Sequence, residues 1–166
     1  MLSPLEECLT NNYKDRMVAF LKAHPECWEE TIQLAITNKQ PYSWRAAWLL
    51  NSCIEKNDIR IQLLIPTFIE SLNNKTDGHQ REILKILLLM ELSEEQESTL
   101  FDFCIQLWKD IQKKSSIRHI AFRFLQNMVE KYPELKHELE LYSDKIYLES
   151  LSPGIRQSII KIIKTS

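Results

Sequence analysis

The segment HELEL, His137–Leu141, is the part of this sequence closest to a catalytic motif. In a zinc-protease helix a second histidine stands one turn after the first, and Leu141 occupies that position here. The four histidines lie in separate segments, so no short spacing makes two of them ligands of one metal. They are His24, His79, His119 and His137. The histidines therefore predict no metal site.

Phosphate-binding loops and strained nucleophile turns are excluded by the shortage of glycine. Gly78 and Gly154 are the only glycines, and they cannot form a Walker loop or a GxSxG turn. Paired carboxylates such as Glu94 and Glu95 could act in acid–base catalysis if they were buried and close together. The pairs lie at helix starts or on polar faces, where a solvated carboxylate favours the helix dipole. The sequence thus predicts a non-enzymatic protein with no catalytic residue and no cofactor.

The four cysteines form no CxxC pair, and wide intervals separate them. We interpret them as reduced, mostly buried small apolar residues rather than as disulfide partners or metal ligands. They are Cys8, Cys27, Cys53 and Cys104.

The elements that carry these residues are predicted to be helices. A chain of 166 residues with 2 glycines and 6 prolines has little material for β-turns and much that favours helices, which predicts an all-α domain. With 21 basic and 23 acidic residues, the chain lacks the basic excess of a nucleic-acid-binding protein. The N-terminal residues carry acids where an export signal has a basic flank, and Lys85 and Glu91 interrupt the apolar segment 83–92. We therefore expect a cytoplasmic protein without a membrane partner.

A repeat organises the chain. Four segments align by an arginine, and successive arginines are 36, 37 and 38 residues apart. After each arginine, apolar residues recur with helical periodicity. The aligned arginines are Arg45, Arg81, Arg118 and Arg156.

A second helical pattern precedes each arginine helix, and a further helix leads the chain at residues 13–24. The preceding patterns are residues 25–38, 59–74, 94–111 and 133–150. Sequence signals predict the starts of several helices. They are Asn12 as the cap of the leading helix, Pro25 in a first turn, a capping box of Ser93 with Gln96, Ser115 or Ser116 as the cap of the third arginine helix, and Ser152 followed by Pro153.

The segment QLLIPTFIESLNNKTDGHQREILKIL resembles a HEAT repeat, with Pro66 in the first helix, a turn, and Arg81 after the turn. The segment IRHIAFRFL is similar to the second helix of such a repeat, because Ile117, Arg118 and Ala121 match its V-R-x-x-A pattern. The chain departs from the family in that only the second unit has an acid, Asp77, close before its arginine.

The resemblance implies an α-α superhelix, a solenoid of about four antiparallel helix pairs with an N-terminal capping helix. Residues 1–166 would form a single domain, in which residues 1–24 are the cap. The helix-pair units would be residues 25–57, 58–92, 93–132 and 133–166. In a solenoid each unit buries its apolar face against its neighbours, so the repeat arginines are expected to lie at the seams between units. The alternative is a row of arginines presented to an anionic partner.

In such solenoids the second helices line the concave side, where a peptide or helix of a partner protein can bind. The positions one, five, eight and twelve residues after each arginine are expected to face outward there, and the alternative is that curvature of the solenoid buries many of them. They are Ala46, Leu50, Cys53 and Asn57 in the first unit, Glu82, Ile86, Leu89 and Ser93 in the second, and His119, Arg123, Gln126 and Glu130 in the third. The sequence thus predicts a protein-interaction or scaffold module with an unidentified protein or peptide partner.

Two further hypotheses concern the last helix and the tryptophans. The last helix carries five isoleucines, and Ile159 and Ile163 could form a homodimer face. The alternative function is that of a HEAT-type nucleic-acid-binding protein or of a protein similar to the HEAT-like DNA alkylation-repair glycosylases, with Trp44 and Trp48 beside Arg45 stacking on a base.

Overall fold

The computed structural model describes residues 1–165 and is helical. Within those residues the chain forms twelve α-helices and two 3₁₀ turns, at Pro25–Cys27 and Pro133–Leu135, and no β-strand. The helices are α1 (Pro4–Asn11), α2 (Lys14–Ala23), α3 (Trp28–Ile36), α4 (Tyr42–Cys53), α5 (Ile59–Gln62), α6 (Ile65–Ser71), α7 (Asp77–Leu88), α8 (Glu94–Lys109), α9 (Ser115–Lys131), α10 (Lys136–Glu140), α11 (Lys145–Glu149) and α12 (Pro153–Thr165). The all-α prediction is confirmed.

The chain divides into two compact units. The first unit, Met1–Glu91, contains α1 to α7, and the second unit begins at Leu92 and contains α8 to α12.

Helix α4 is the centre of the first unit, where it packs against α1, α2, α3 and α7. Ala46 and Ala47 have no exposed surface, and their small side chains allow neighbouring helices to approach closely. Leu49 and Leu50 complete the buried face of the helix. Burying a leucine side chain stabilises the fold by about 1.5–3 kcal/mol, so this helix holds much of the first core.

Helix α9 is the centre of the second unit, where it packs against α8, α10 and α12. The rings of Trp108 in α8 and Phe122 in α9 are 4.7 Å apart and tilted by 52°, a favourable arrangement for an aromatic pair. Ala121 and Leu125 are buried on the same helix. The long hairpin of α8 and α9 therefore forms the second core.

The predicted helix starts are partly confirmed. Ser93 and Gln96 form the capping box, and Pro25 lies in the first 3₁₀ turn. The prediction for Asn12 is wrong, because this residue is the C-cap of α1, its side-chain amide donates to the Cys8 carbonyl, and the N-cap of α2 is Tyr13. The prediction of a serine cap for the third arginine helix is also wrong. Its N-cap is Lys114, whose side chain makes no capping bond.

Two predicted helices are interrupted. Residues 59–74 form α5 and α6, and the break falls just before Pro66, which lies in the first turn of α6. Proline lacks the N–H that would continue the helix, so the chain restarts there. Residues 133–150 form a 3₁₀ turn, α10 and α11. Between α10 and α11 the Tyr142 carbonyl accepts a 2.7 Å bond from Trp108 Nε1, which ties this break to α8.

Candidate protein-interaction surface

The third-unit candidates lie along one side of α9. Arg123 and Glu130 are exposed, and His119 and Gln126 are half-buried. Apart from Arg118, the buried residues of α9 are apolar and pack in the core, so these polar positions are turned away from it. Arg123, Gln126 and Glu130 line a groove of about 230 Å³ with Asn127 of the same helix and with Ile162 and Thr165 of α12. We call this surface the α9–α12 groove.

An apolar cleft adjoins the groove at Gln126, which lines both. The cleft measures about 180 Å³, and its walls are Phe122, Val129, Leu139 and Ile163. Lys136, Glu140 and Ser143 add polar atoms to this cleft. The surface thus combines a charged part with an apolar part, as the centre and rim of a protein interface do.

His119 contributes an uncharged polar group beside the groove. Its Nε2 lies 3.4 Å from the hydroxyl of Ser158 in α12. Burial lowers the pKa of His119, and the Arg123 guanidinium lowers it further. The imidazole is therefore neutral at pH 7, and Arg123 and Glu130 carry the charges of this helix face.

The second-unit candidates are placed differently, and the expectation that they face outward is wrong for two of them. Glu82 is 1% exposed and Ile86 is 0% exposed, whereas Leu89 is half-buried. Helix α4 packs against α7, and Asn51 Nδ2 donates to Glu82 Oε2 at 2.8 Å and to the Glu82 carbonyl at 2.9 Å. Arg81 and Lys85 complete this polar junction as further donors to the Glu82 carboxylate.

Burial also removes half of the first-unit candidates. Ala46 and Leu50 have no exposed surface, Cys53 is half-buried, and Asn57 is exposed. A central helix packed against four neighbours keeps few positions open to a partner. The positions one, five, eight and twelve residues after a repeat arginine are therefore accessible mainly on α9.

Arg118 forms the most elaborate contacts of the four repeat arginines. Its side chain has no exposed surface, and Nε and Nη2 donate to the Trp108 carbonyl at 3.1 and 2.9 Å. The same guanidinium reaches the α11 segment, where Nη2 donates to the Tyr147 carbonyl at 2.7 Å and Nη1 to the Ser150 hydroxyl at 2.8 Å. The guanidinium thus joins the end of α8 to the end of α11. A fully buried arginine cannot belong to an exposed anion-binding row.

Arg156 repeats part of this arrangement. Its guanidinium donates to the carbonyls of Leu148, Glu149 and Leu151 at 3.0, 2.7 and 3.2 Å, at the end of the helix before its own. A cation at the C-terminal end of a helix is favoured by the helix dipole, and its donors satisfy carbonyl oxygens that the last turn leaves exposed.

Arg81 and Arg45 depart from this arrangement. Arg81 pairs with Glu82 at 2.9 Å, and Arg45 Nε is buried without a hydrogen-bond partner among the described residues. The carbonyls at the end of α3, which precedes Arg45, are bound by Lys75 instead. Its Nζ donates to the carbonyls of Ile36 and Thr37 at 3.1 and 2.7 Å.

Lys75 and its neighbour His79 are structural residues that the sequence did not single out. Lys75 is buried, and burial lowers the pKa of its ammonium. His79 has no exposed surface, its Nε2 lies 2.7 Å from the Ala35 carbonyl, and its Nδ1 lies 3.0 Å from Gln40 Nε2. The neutral imidazole satisfies both contacts if Nε2 carries the proton. Burial lowers the pKa of His79 to about 4. Lys75 and His79 bind carbonyls at the end of α3, 38 to 44 residues earlier in the chain, and only the folded structure brings these two segments together.

The two residues of the candidate dimer face, Ile159 and Ile163, differ in burial. Ile159 has no exposed surface and packs in the core of its own unit, so the expectation that it faces a second copy is wrong. Ile163 is half-buried and lines the apolar cleft.

The tryptophans have environments typical of packing. Trp108 has no exposed surface, and the Arg60 guanidinium covers the face of Trp28 at 3.5 Å. Trp44 and Trp48 are half-buried, and a Cβ added at Gly78 would lie 3.4 Å from Trp44 Nε1. These contacts favour structural roles over base stacking.

Comparison with protein families finds a match to the HEAT repeat domain over residues 1–166. The chain belongs to the HEAT repeat family. The resemblance and the helical-repeat fold class predicted from the sequence are therefore confirmed. HEAT repeats generally mediate protein interactions, and this HEAT repeat protein is accordingly a helical-repeat protein-interaction module. Comparison with curated proteins and with solved structures gave no match. Over residues 1–165, no helix of the HEAT repeat protein has the length and apolar character needed to cross a bilayer.

Proposed function

We propose that this HEAT repeat protein is a non-enzymatic scaffold whose α9–α12 groove binds a peptide or helix of a partner protein. The observation that carries the proposal is the alignment of Arg123, Gln126 and Glu130 in one groove with an apolar cleft beside it. The family supports the same class of function, since HEAT repeats generally mediate protein interactions.

The groove specifies the chemistry of its partner. Arg123 and Glu130 lie seven residues apart, about two turns of α9, so the groove carries a positive and a negative charge at separate points. A bound segment should place an acid near Arg123, a base near Glu130 and an apolar residue in the cleft beside Gln126. Charges of this kind set the orientation and selectivity of a partner, and the apolar residue supplies most of the affinity.

Selection from a displayed library of random peptides against the full chain tests this proposal. The selected peptides should combine an apolar residue with an acid and a base, and the Arg123→Glu variant should weaken their binding by about tenfold because it places like charges together. Lys22→Glu makes the same charge change on exposed α2 and serves as the matched control. Selected peptides that bind Arg123→Glu as tightly as they bind Lys22→Glu would refute the proposal, and so would a library that yields none.

A further inference from the structure

A second cleft opens between the start of α8 and the end of α9. Its volume is about 290 Å³, and its apolar walls are Phe101, Met128 and Leu135. Three carboxylates line it, those of Glu94, Glu97 and Glu134. No residue of this acidic cleft lines the α9–α12 groove, so it is a separate surface.

The floor of the acidic cleft is a carboxylate fixed in position. The Glu97 side chain is 8% exposed, Oε1 accepts a 2.6 Å bond from Lys131 Nζ, and Oε2 accepts a 2.6 Å bond from the Tyr132 hydroxyl. An ionised carboxylate offers about four acceptor positions, so each oxygen can accept one further donor. The floor is therefore preorganised for an incoming N–H group.

The rim of the acidic cleft carries negative charge without internal compensation. Glu94 and Glu134 are exposed, and neither pairs with a cation of residues 1–165. Lys131 supplies one positive charge against three carboxylates. The electrostatic potential of the cleft therefore favours a cationic group, while the apolar walls favour an aliphatic stem.

We propose that the acidic cleft binds an arginine side chain from a basic segment of a partner protein. A guanidinium can donate to the Glu97 oxygens and to a rim carboxylate at once, and it is more weakly hydrated than an ammonium, so it enters an apolar cleft more readily. The volume lies at the lower end of small-molecule sites, which suits one large side chain rather than a whole ligand. Arginine is also among the residues most often responsible for binding energy at interfaces.

Titration of the full chain with N-acetyl-arginine amide tests the proposal, with the methionine methyl groups observed by NMR. The Met128 methyl should shift saturably, while the methyl of Met17, buried in the first unit, stays in place. N-acetyl-lysine amide should bind more weakly. No saturable shift at Met128, or equal affinity for the lysine and arginine amides, would overturn the proposal.

Charge-neutralised variants separate the cleft from general electrostatics. The double variant Glu94→Gln with Glu134→Gln should weaken binding about fivefold, because two favourable charges of the rim are lost. The double variant Glu95→Gln with Glu138→Gln removes the same charge from exposed positions outside the cleft and should leave the affinity unchanged. Equal weakening by both double variants would show that net charge alone attracts the cation, and the assignment would fall. Both pairs are exposed, so their folding should be unaffected.

Discussion

Replacing Arg118 with methionine should destabilise the second unit more than any comparable change at another repeat arginine. Methionine retains a flexible stem for packing but removes every donor. The carbonyls of Trp108 and Tyr147 and the hydroxyl of Ser150 would each lose a partner. A buried acceptor without a partner costs about 1–3 kcal/mol. The Trp108 carbonyl is buried and the Tyr147 carbonyl is part-buried, so the two together give about 2–5 kcal/mol.

The guanidinium itself is costly to bury, which offsets part of this loss. Burial lowers the pKa of Arg118, the sign of a charge held in an unfavourable environment. Methionine removes that penalty but leaves the carbonyls unsatisfied, so we expect a net decrease in the free energy of unfolding of about 3 kcal/mol. Lysine at this position should give an intermediate value, because one ammonium group cannot reach all three acceptors as the planar guanidinium does.

Urea unfolding of the full chain, followed by circular dichroism, measures the effect. Arg156→Met is the matched control, since Arg156 is half-buried and water can replace it at its carbonyls. That variant should lose only about 1 kcal/mol. If Arg118→Met is as stable as the parent chain, or loses no more than Arg156→Met, the role we assign to the buried guanidinium is refuted.

Three other perturbations have defined outcomes. The pKa of His79 is about 4 in the folded chain and 6.5 in an ordinary imidazole. Between pH 4 and pH 6.5 the unfolded chain therefore binds a proton at His79 that the folded chain does not bind. Stability should therefore fall as pH drops from 6.5 to 4, by up to about 3 kcal/mol relative to His79→Gln, and pH-dependent urea unfolding would show parallel curves if this is wrong. Ile159→Ala should cost about 2–4 kcal/mol with no change of mass in sedimentation, whereas a dissociating dimer would contradict its burial in the core. Cys104 is fully buried and burial raises its pKa, so iodoacetamide should label half-buried Cys53 in the native chain and Cys104 only in urea, as mass spectrometry would reveal.

The sequence predicted the helical repeat because its signal is periodic. An arginine followed by apolar residues at helical spacing recurs four times, and the family match agrees with the fold read from that recurrence. Helix α1 was missed although Ser3 and Glu6 form a complete capping box at its start. The following Pro4 fits a first helical turn, so the local signal was present and only the apolar pattern was short.

The candidate site was harder to predict, because the exposure of a side chain depends on contacts between helices that are far apart in the sequence. The rule that placed Arg123 at the surface also placed Ile86 there, yet Ile86 is fully buried. Helix α7 is covered by α4 through the contact of Asn51 with Glu82, which lie 31 residues apart. No local pattern announces such a contact. Residue spacing gives the direction of a side chain, and neighbouring helices decide whether that direction is open.

Lys75, rather than Arg45, binds the carbonyls at the end of α3, and this limits how freely the repeats could be exchanged. At the end of α3 the last carbonyls are bound by Lys75, a residue of the turn between α6 and α7. A chimera that replaced residues 58–92 with another segment of this protein would therefore leave the preceding segment without its cap, however well the new apolar faces matched. Recombination or modular redesign within this chain would have to transfer α3, α4 and the turn bearing Lys75 together as a single segment.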